Sequence, residues 1–350
     1  MKKIIFILFC SFFILLLPCS IKSLTISPPL IDLEGSPGQT IVEEFRVINE
    51  TDEPVELSVS IEGFRAKGEE GQPEFVSPEE EEAEFYNWIE IDKEPFILLP
   101  QTRKTIPLII RISEKASPGG YYAAIFWSTA PPKIEEEKIA IGVVGKIGAL
   151  ILLKITGEVK EEGRLLEFFI KERKRILNRL PVNFVVRFEN TGNVHLKPEG
   201  EIEIIDVFGK IIASLLVNKR RANVLPESVR KFENKWETRY KGAKGLILEA
   251  KTKENFLENF IREFKNEKNN FAFGKFFAQL NLRYGKERKS VEATRDFWII
   301  PWRIFSFSLV SLIIVLIFLV WCSRRYNQWI ITKYQTKLME EEEKRREKKE

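Results

Sequence analysis

Tyr121, Tyr122, Phe126 and Trp127 stand within one short segment, Gly119–Trp127. Rings grouped this way offer flat apolar faces that stack on sugars or anchor protein interfaces. If the segment is a strand, successive side chains point to opposite faces. Half of the set then fills a core, and the outward half is the candidate contact surface. The acidic run Glu79–Glu82 is expected to belong to the same contact region. It lies in a Gly- and Pro-containing stretch, Phe64–Glu84, that reads as a long loop. No glycine-turned loop of alternating oxygen ligands surrounds the run, so a solvated loop is expected rather than a calcium site.

Reactive residue types are scarce. His195 is the only histidine, and the cysteines are Cys10, Cys19 and Cys322. A Ser–His or Cys–His nucleophile needs a base beside the attacking atom, and zinc needs several His or Cys ligands. Neither set is present between the two ends of the chain. No Walker loop and no dinucleotide fingerprint occurs. Carboxylates are plentiful enough for a glycosidase pair, but two small sandwiches rarely supply the deep cleft such a pair needs. The expectation is a protein that is not an enzyme, with no catalytic residues, no cofactor and no metal. His195 is expected at a strand end on the surface.

The elements around these residues read as β-strands. Val55–Glu62 alternates apolar and polar residues strictly, and Phe45-Arg46-Val47 alternates before it. The turn-forming link Asn49–Pro54 predicts that the two form a hairpin. Strands are also predicted at Trp88–Ile91, Lys104–Ile112, Tyr121–Trp127 and Gly148–Ile155. Pro107 marks an edge or bulge position, because it lacks the ladder donor. The second half repeats the order, with alternation at Val182–Phe188, a turn at Asn190–Asn193, and strands at Gly200–Asp206, Ile211–Val217 and Phe276–Tyr284. Three landmarks recur in sequence: Asn49 and Asn190, Leu99-Pro100 and Leu225-Pro226, Gly119–Ala123 and Gly274–Ala278. The expected fold is all-β, with two tandem immunoglobulin-like β-sandwiches at residues 24–157 and 158–298. Asn255–Lys265 has apolar residues at helical spacing. It predicts a short inserted helix whose stripe packs on its own sheet.

Two long apolar runs bracket these strands. Ile4–Leu17 follows Lys2 and Lys3 and precedes Pro18–Ser23, which reads as a signal peptide over residues 1–23. A lipoprotein signal at Cys19 and an uncleaved anchor are the alternatives. Ile304–Cys322 is uncharged and flanked by Arg303, Arg324 and Arg325. It reads as a transmembrane helix over residues 303–323, with a charged cytoplasmic tail over 324–350. That arrangement implies a single-pass membrane protein with its N-terminal part outside the cell. An ectodomain without cysteine favours a bacterial source. Leu24–Gly157 carries 24 acidic and 12 basic residues, whereas Glu158–Pro301 carries 21 acidic and 30 basic. Opposite biases of this kind steer partners or dock the two halves together. Nucleic acid is not an expected partner.

The order of parts resembles the WxL-interacting proteins of Gram-positive bacteria. The matching stretches are Ile26-Ser27-Pro28-Pro29, Pro37-Gly38-Gln39 leading to Phe45–Asn49, and Gly119–Phe126. The resemblance implies a peptidoglycan-binding first domain and a second domain that engages a partner surface. Phe188–Val194 departs from that pattern and looks like generic membrane-tethered immunoglobulin-like domains. The leading expectation is a cell-surface binding or scaffold protein that contacts cell-wall polymer or another surface protein. The alternatives are a membrane-tethered, chaperone-like assembly factor for exported subunits, and an envelope-complex or signalling subunit acting through the tail.

Overall fold

The computed structural model describes residues 23–76, 85–129, 145–237 and 256–347. The expected signal segment up to Lys22 and the acidic run Glu79–Glu82 lie outside the described residues.

Alternating Val, Ile, Leu and Phe make most of the described chain up to Ile299 β-structured. The first half holds β1 (Leu24–Ser27), β2 (Leu30–Gly35), β3 (Thr40–Asn49), β4 (Val55–Lys67), β5 (Gln72–Val76), β6 (Ile89–Ile91), β7 (Phe96–Leu98), β8 (Arg103–Arg111), β9 (Gly119–Thr129) and β10 (Lys146–Ile155). The second half holds β11 (Gly163–Ile170), β12 (Ile176–Leu177), β13 (Val182–Asn190), β14 (Glu199–Asp206), β15 (Ile211–Val217), β16 (Ser228–Trp236), β17 (Gly274–Tyr284) and β18 (Lys289–Ile299). Two helices follow in chain order around the last hairpin, α1 (Phe256–Asn269) and α2 (Trp302–Glu347).

Each half is a pair of facing sheets, and the two pairs share a strand order apart from β6 and β7, which only the first half has; β7 pairs with β4. The first half has β1-β3-β8-β6 against β2-β10-β9-β4-β5, and the second has β11-β13-β16 against β12-β18-β17-β14-β15. In both, the chain's first strand changes sheets. β1 pairs antiparallel with β3, and β2 then runs parallel to β10. β11 pairs antiparallel with β13, and β12 runs parallel to β18. Pro28 and Pro29 sit at the first crossing, where a residue without an N–H interrupts the ladder at no cost in donors.

The hairpin expected at Asn49–Pro54 does not form. β3 and β4 belong to different sheets, so the link is a corner between layers, and β13 and β14 are related in the same way. Alternation reports which face of a strand is buried. It does not report the partner. Both corners turn on a fully buried asparagine. Asn49 Nδ2 donates to the Glu53 and Leu98 carbonyls at 2.8 and 3.0 Å, while its Oδ1 accepts from Thr51 N–H at 2.9 Å. Asn190 Nδ2 donates to Val194 and Val224 at 2.7 and 2.8 Å, and its Oδ1 accepts from Gly192 N–H at 2.9 Å. The recurring Leu-Pro landmarks stand at the far partners of these amides.

Part of the expected loop Phe64–Glu84 is a hairpin. β4 continues to Lys67 and pairs with β5, turning through Gly68 and Gly71, both at positive φ. Pro107 is exposed, one position before the segment of β8 that pairs with β6, in keeping with an edge position.

Each half has its own core. Phe45, Trp127, Ile110 and Ile125 are buried between the first two sheets, and Phe168, Phe184, Phe188 and Phe297 between the second two. Burying an aromatic or branched side chain of this size contributes about 1.5–3 kcal/mol. Facing apolar sheets therefore hold each sandwich-like pair together.

α1 packs differently from expectation. Its Phe264 ring meets Phe307 of α2 at 5.2 Å, and fully buried Glu267 accepts from Arg303 Nη1 at 2.8 Å. Phe264 of the stripe thus meets the first turns of α2 rather than the sheet, and Ile261 is left exposed. α2 itself has a mean hydropathy of 2.8 in its most apolar stretch, and none of that stretch is covered by the rest of the chain. It is long and apolar enough to cross a membrane, at 1.5 Å per residue against a ~30 Å hydrocarbon layer.

Candidate functional site

β9 carries the four aromatic residues singled out above, and its alternation divides them. Tyr121 and Trp127 face the first core. Trp127 is fully buried, edge-on to Phe45 at 5.4 Å. Tyr121 packs on Trp88 at 4.9 Å and donates its hydroxyl to the Ser117 carbonyl. Tyr122 and Phe126 point to the opposite face but are covered there too. Phe126 is 7% exposed, beneath Phe75 at 4.7 Å and the Lys146 ammonium at 3.7 Å. Tyr122 lies against Phe64 and His195. No ring of this set forms an open platform for a sugar. The quoted motif stretches serve the fold in the same way. Ile26–Pro29 makes the sheet change, and Pro37–Gln39 makes the turn into β3.

Tyr122 is covered by the second half, at a junction between the two halves. Gly120 N–H donates to the Asn193 carbonyl at 2.8 Å, and Asn193 Nδ2 returns a bond to the Pro118 carbonyl. His195 is not at the surface. Its side chain is 7% exposed, with Nε2 at 3.0 Å from Asp32 Oδ1 and Nδ1 at 3.4 Å from the Tyr122 hydroxyl. The Asp32 carboxylate accepts from Nε2, and Nδ1 and the phenol hydroxyl share the second contact. Lys197 approaches Asp32 Oδ2 at 2.5 Å. Burial alone would raise the Asp32 carboxyl. The hydrogen bonds from His195 and Lys197 outweigh it and hold the group at about 2. Burial pushes the Tyr122 phenol up.

Further pairs extend this junction. Lys286 binds Glu34 at 2.6 Å, and Lys154 binds Glu161. The β4–β5 hairpin reaches across to the second half. Arg187 forks onto Glu69, Lys231 pairs with Glu70 at 2.6 Å, and Lys231 N–H donates to the Glu69 carbonyl. Gly71 is pressed against Arg230, where an added Cβ would sit 2.2 Å from the guanidinium carbon. The acids are supplied by the first half and the bases by the second, with Lys154–Glu161 reversed. The opposite charge biases of the two halves thus appear as complementary faces of one junction. In the sequence, Asp32, Glu34, Glu69 and Glu70 carried no signal beyond this overall balance.

Two openings flank the junction. A polar cleft of about 910 Å³ is lined by Asp32, Glu34, Lys154, His195, Arg283 and Arg288. A smaller cavity of about 420 Å³ has a floor of Leu30, Phe64, Leu150, Leu152 and Leu225, with Arg220 on its rim. Among the described residues, no group of three His, Cys, Asp or Glu side chains is placed to hold a metal.

Beside the smaller cavity lies an open strand edge. β2 pairs with β10 only from Leu150 to Ile155, and Leu150 N–H donates to the Pro29 carbonyl. Ahead of that point β1 has crossed to the other sheet. Lys146–Ala149 therefore has β9 on one side and, among the described residues, no strand paired on the other. By the two-residue period of a strand, the N–H groups of Gly148 and Lys146 point the same way as that of Leu150, into the gap.

No known family and no curated protein matches the chain. Among solved structures, it is similar to the class 5 fimbriae chaperone CfaA. Identity there is 13%, over 79% of this chain and 99% of that one, with a TM-score of 0.37. It is also similar to the YadV chaperone at 10% identity, over 78% of this chain and 99% of that one, with a TM-score of 0.34. The E. coli chaperone DraB gives 13% identity, over 79% and 97% of the two chains, with a TM-score of 0.32. At these values the likeness assigns no function to this chain.

Proposed function

We infer that this chain is a membrane-tethered, non-enzymatic assembly factor. Two tandem immunoglobulin-like sandwiches, residues 24–157 and 158–298, take an extended segment of an exported protein by strand addition. The carrying observation is the edge of β10 at Lys146–Ala149, with which no strand pairs among the described residues. An edge of this kind gives main-chain hydrogen bonds to any extended segment, while neighbouring pockets select its side chains. The apolar cavity floored by Leu30, Leu150 and Leu152 begins where the free edge ends, so it suits an apolar side chain of the added strand. Burial of Tyr122 and Phe126 weighs against a sugar-stacking surface for cell-wall polymer. The span at residues 303–323 tethers the sandwiches outside the membrane and leaves 324–350 in the cytoplasm.

The test is amide hydrogen exchange on the full chain in detergent micelles, alone and with exported proteins of the source cell. In the free chain Gly148 and Lys146 amides exchange fast, while those of Ile147 and Ala149, bonded to β9, are slow. A bound segment slows the first pair, and Lys146→Pro abolishes that effect. Protection that arises elsewhere while this edge stays fast would sink the reading.

A further inference from the structure

The end of the second half farthest from the junction carries an apolar surface of its own. β14 ends at Asp206, which is opposite Phe276 of β17, and Phe276 is opposite Phe297 of β18. β18 ends at Ile299, three residues before α2 begins at Trp302. The β14–β15 tip therefore lies level with the root of α2. Two strand spacings separate them, about 10 Å. At this level Phe208 is 90% exposed, Val207 55%, Ile211 52%, Trp298 42% and Trp302 47%. Lys174 and Lys210 are exposed beside them.

The tip is held rather than loose. Asp206 Oδ1 accepts from the N–H groups of Phe208 and Lys210 at 2.9 and 3.0 Å, and Gly209 turns the chain at φ +78. A fixed turn that keeps a phenylalanine almost fully in water gains nothing from folding alone. Soluble proteins rarely gather exposed apolar side chains at one end without a partner for them.

We propose that this end rests on the lipid bilayer, with Phe208 and Val207 inserted at the headgroup boundary and Lys174 and Lys210 on anionic headgroups. The inference rests on reading α2 as a membrane span. Continuity with that helix selects the bilayer as the occupant, because the register sets Phe208 level with Ile299, three residues before α2 begins at Trp302. Trp298 and Trp302 supply amphipathic rings at the same depth. Insertion beside the helix gives the sandwich a second point of attachment, which fixes its tilt.

The experiment places a nitroxide label at Val207→Cys in the full chain, with Cys10, Cys19 and Cys322 replaced by serine, in vesicles of zwitterionic and anionic phospholipid. Companion labels are Phe318→Cys in mid-helix and Glu287→Cys at the opposite end of the sheet. Depth is read from relaxation by oxygen against an aqueous nickel chelate. The expected result is Phe318 deep in lipid, Glu287 in water, and Val207 about 5–10 Å below the headgroups. Adding Phe208→Asp should bring the Val207 label up to the water exposure of Glu287. A Val207 label as wet as Glu287 while Phe318 is deep would overturn the proposal. An unchanged depth after Phe208→Asp would overturn the part assigned to Phe208. A wet Phe318 label would remove the span itself, and the proposal with it.

Discussion

Replacing Asn190 by alanine removes one side chain and strands two backbone groups. The Val194 carbonyl loses its donor and Gly192 N–H its acceptor, while the Val224 carbonyl keeps the bond from Leu196 N–H at 2.9 Å. Both sit around a residue with no solvent exposure, so water does not replace the lost bonds. A buried group left unpaired costs about 1–3 kcal/mol, and two of them together, with partial relaxation, suggest a loss of about 2–4 kcal/mol. That is a sizeable part of the ~5–15 kcal/mol that holds a typical domain folded. Asn190→Asp keeps the acceptor for Gly192 but aims a buried carboxylate oxygen at two carbonyls, so near neutral pH it should cost at least as much as alanine. Asn49→Ala makes the equivalent change in the first half, and its effect should add to that of Asn190→Ala because the two sites share no partner. Urea unfolding of the full chain in micelles, followed by near-ultraviolet circular dichroism and limited proteolysis of each half, measures these losses. A loss below about 1 kcal/mol for Asn190→Ala would refute the view that this amide holds the corner.

Asp32 is held at about 2 against an ordinary 3.8, so its stabilisation is complete above pH 4 and is lost as pH falls through 2. The shift corresponds to about 2 kcal/mol, and the stability gap between wild type and Asp32→Asn should close over that window in acid titrations of unfolding. Gly71→Ala forces a Cβ onto Arg230 at positive φ, whereas Gly68→Ala meets nothing within 4 Å. Gly68→Ala, which meets only the strain of its positive φ, should cost about 1–2 kcal/mol in urea unfolding, and Gly71→Ala clearly more. Trp127→Ala should cost about 3–5 kcal/mol as a core truncation. Tyr122→Phe, which loses only a 3.4 Å contact with His195, should cost less than about 1 kcal/mol by the same measurement.

Much of the fold was legible in the sequence as strands, and little of it as pairings. Val55–Glu62 and Val182–Phe188 declared one buried face each, since alternation is a property of a single strand. Their partners depend on which layer the chain enters after Asn49 or Asn190, and that choice is made by buried amides acting on carbonyls dozens of residues away. The recurring Asn and Leu-Pro landmarks were the trace of this device. The sheet change at Pro28 has no periodic signature, so the open edge of β10 that follows from it was invisible. His195 stood beside a turn, as surface residues do, and its burial depends on Asp32 in a strand that no pattern announced. The aromatic cluster misled because alternation names two faces of β9, and the second half covers the outer one at Tyr122. The stripe of α1 was readable as a stripe. Its partner, Phe307, lies in a segment whose composition spoke only of lipid.

α2 runs on well past the length a bilayer needs. Its 46 residues make about 69 Å of helix, and a ~30 Å hydrocarbon layer leaves about 40 Å beyond it. A flexible tail of the same residue count would wander, bringing its end back to the lipid surface as often as away from it. A rod does neither. With the span proposed above, whatever engages the far end of this helix would be kept at a set height from the bilayer, and the tail would act as a spacer whose reach is fixed by residue count. Inserting or deleting seven residues past Arg325 would change that height by about 10 Å without touching the sandwiches.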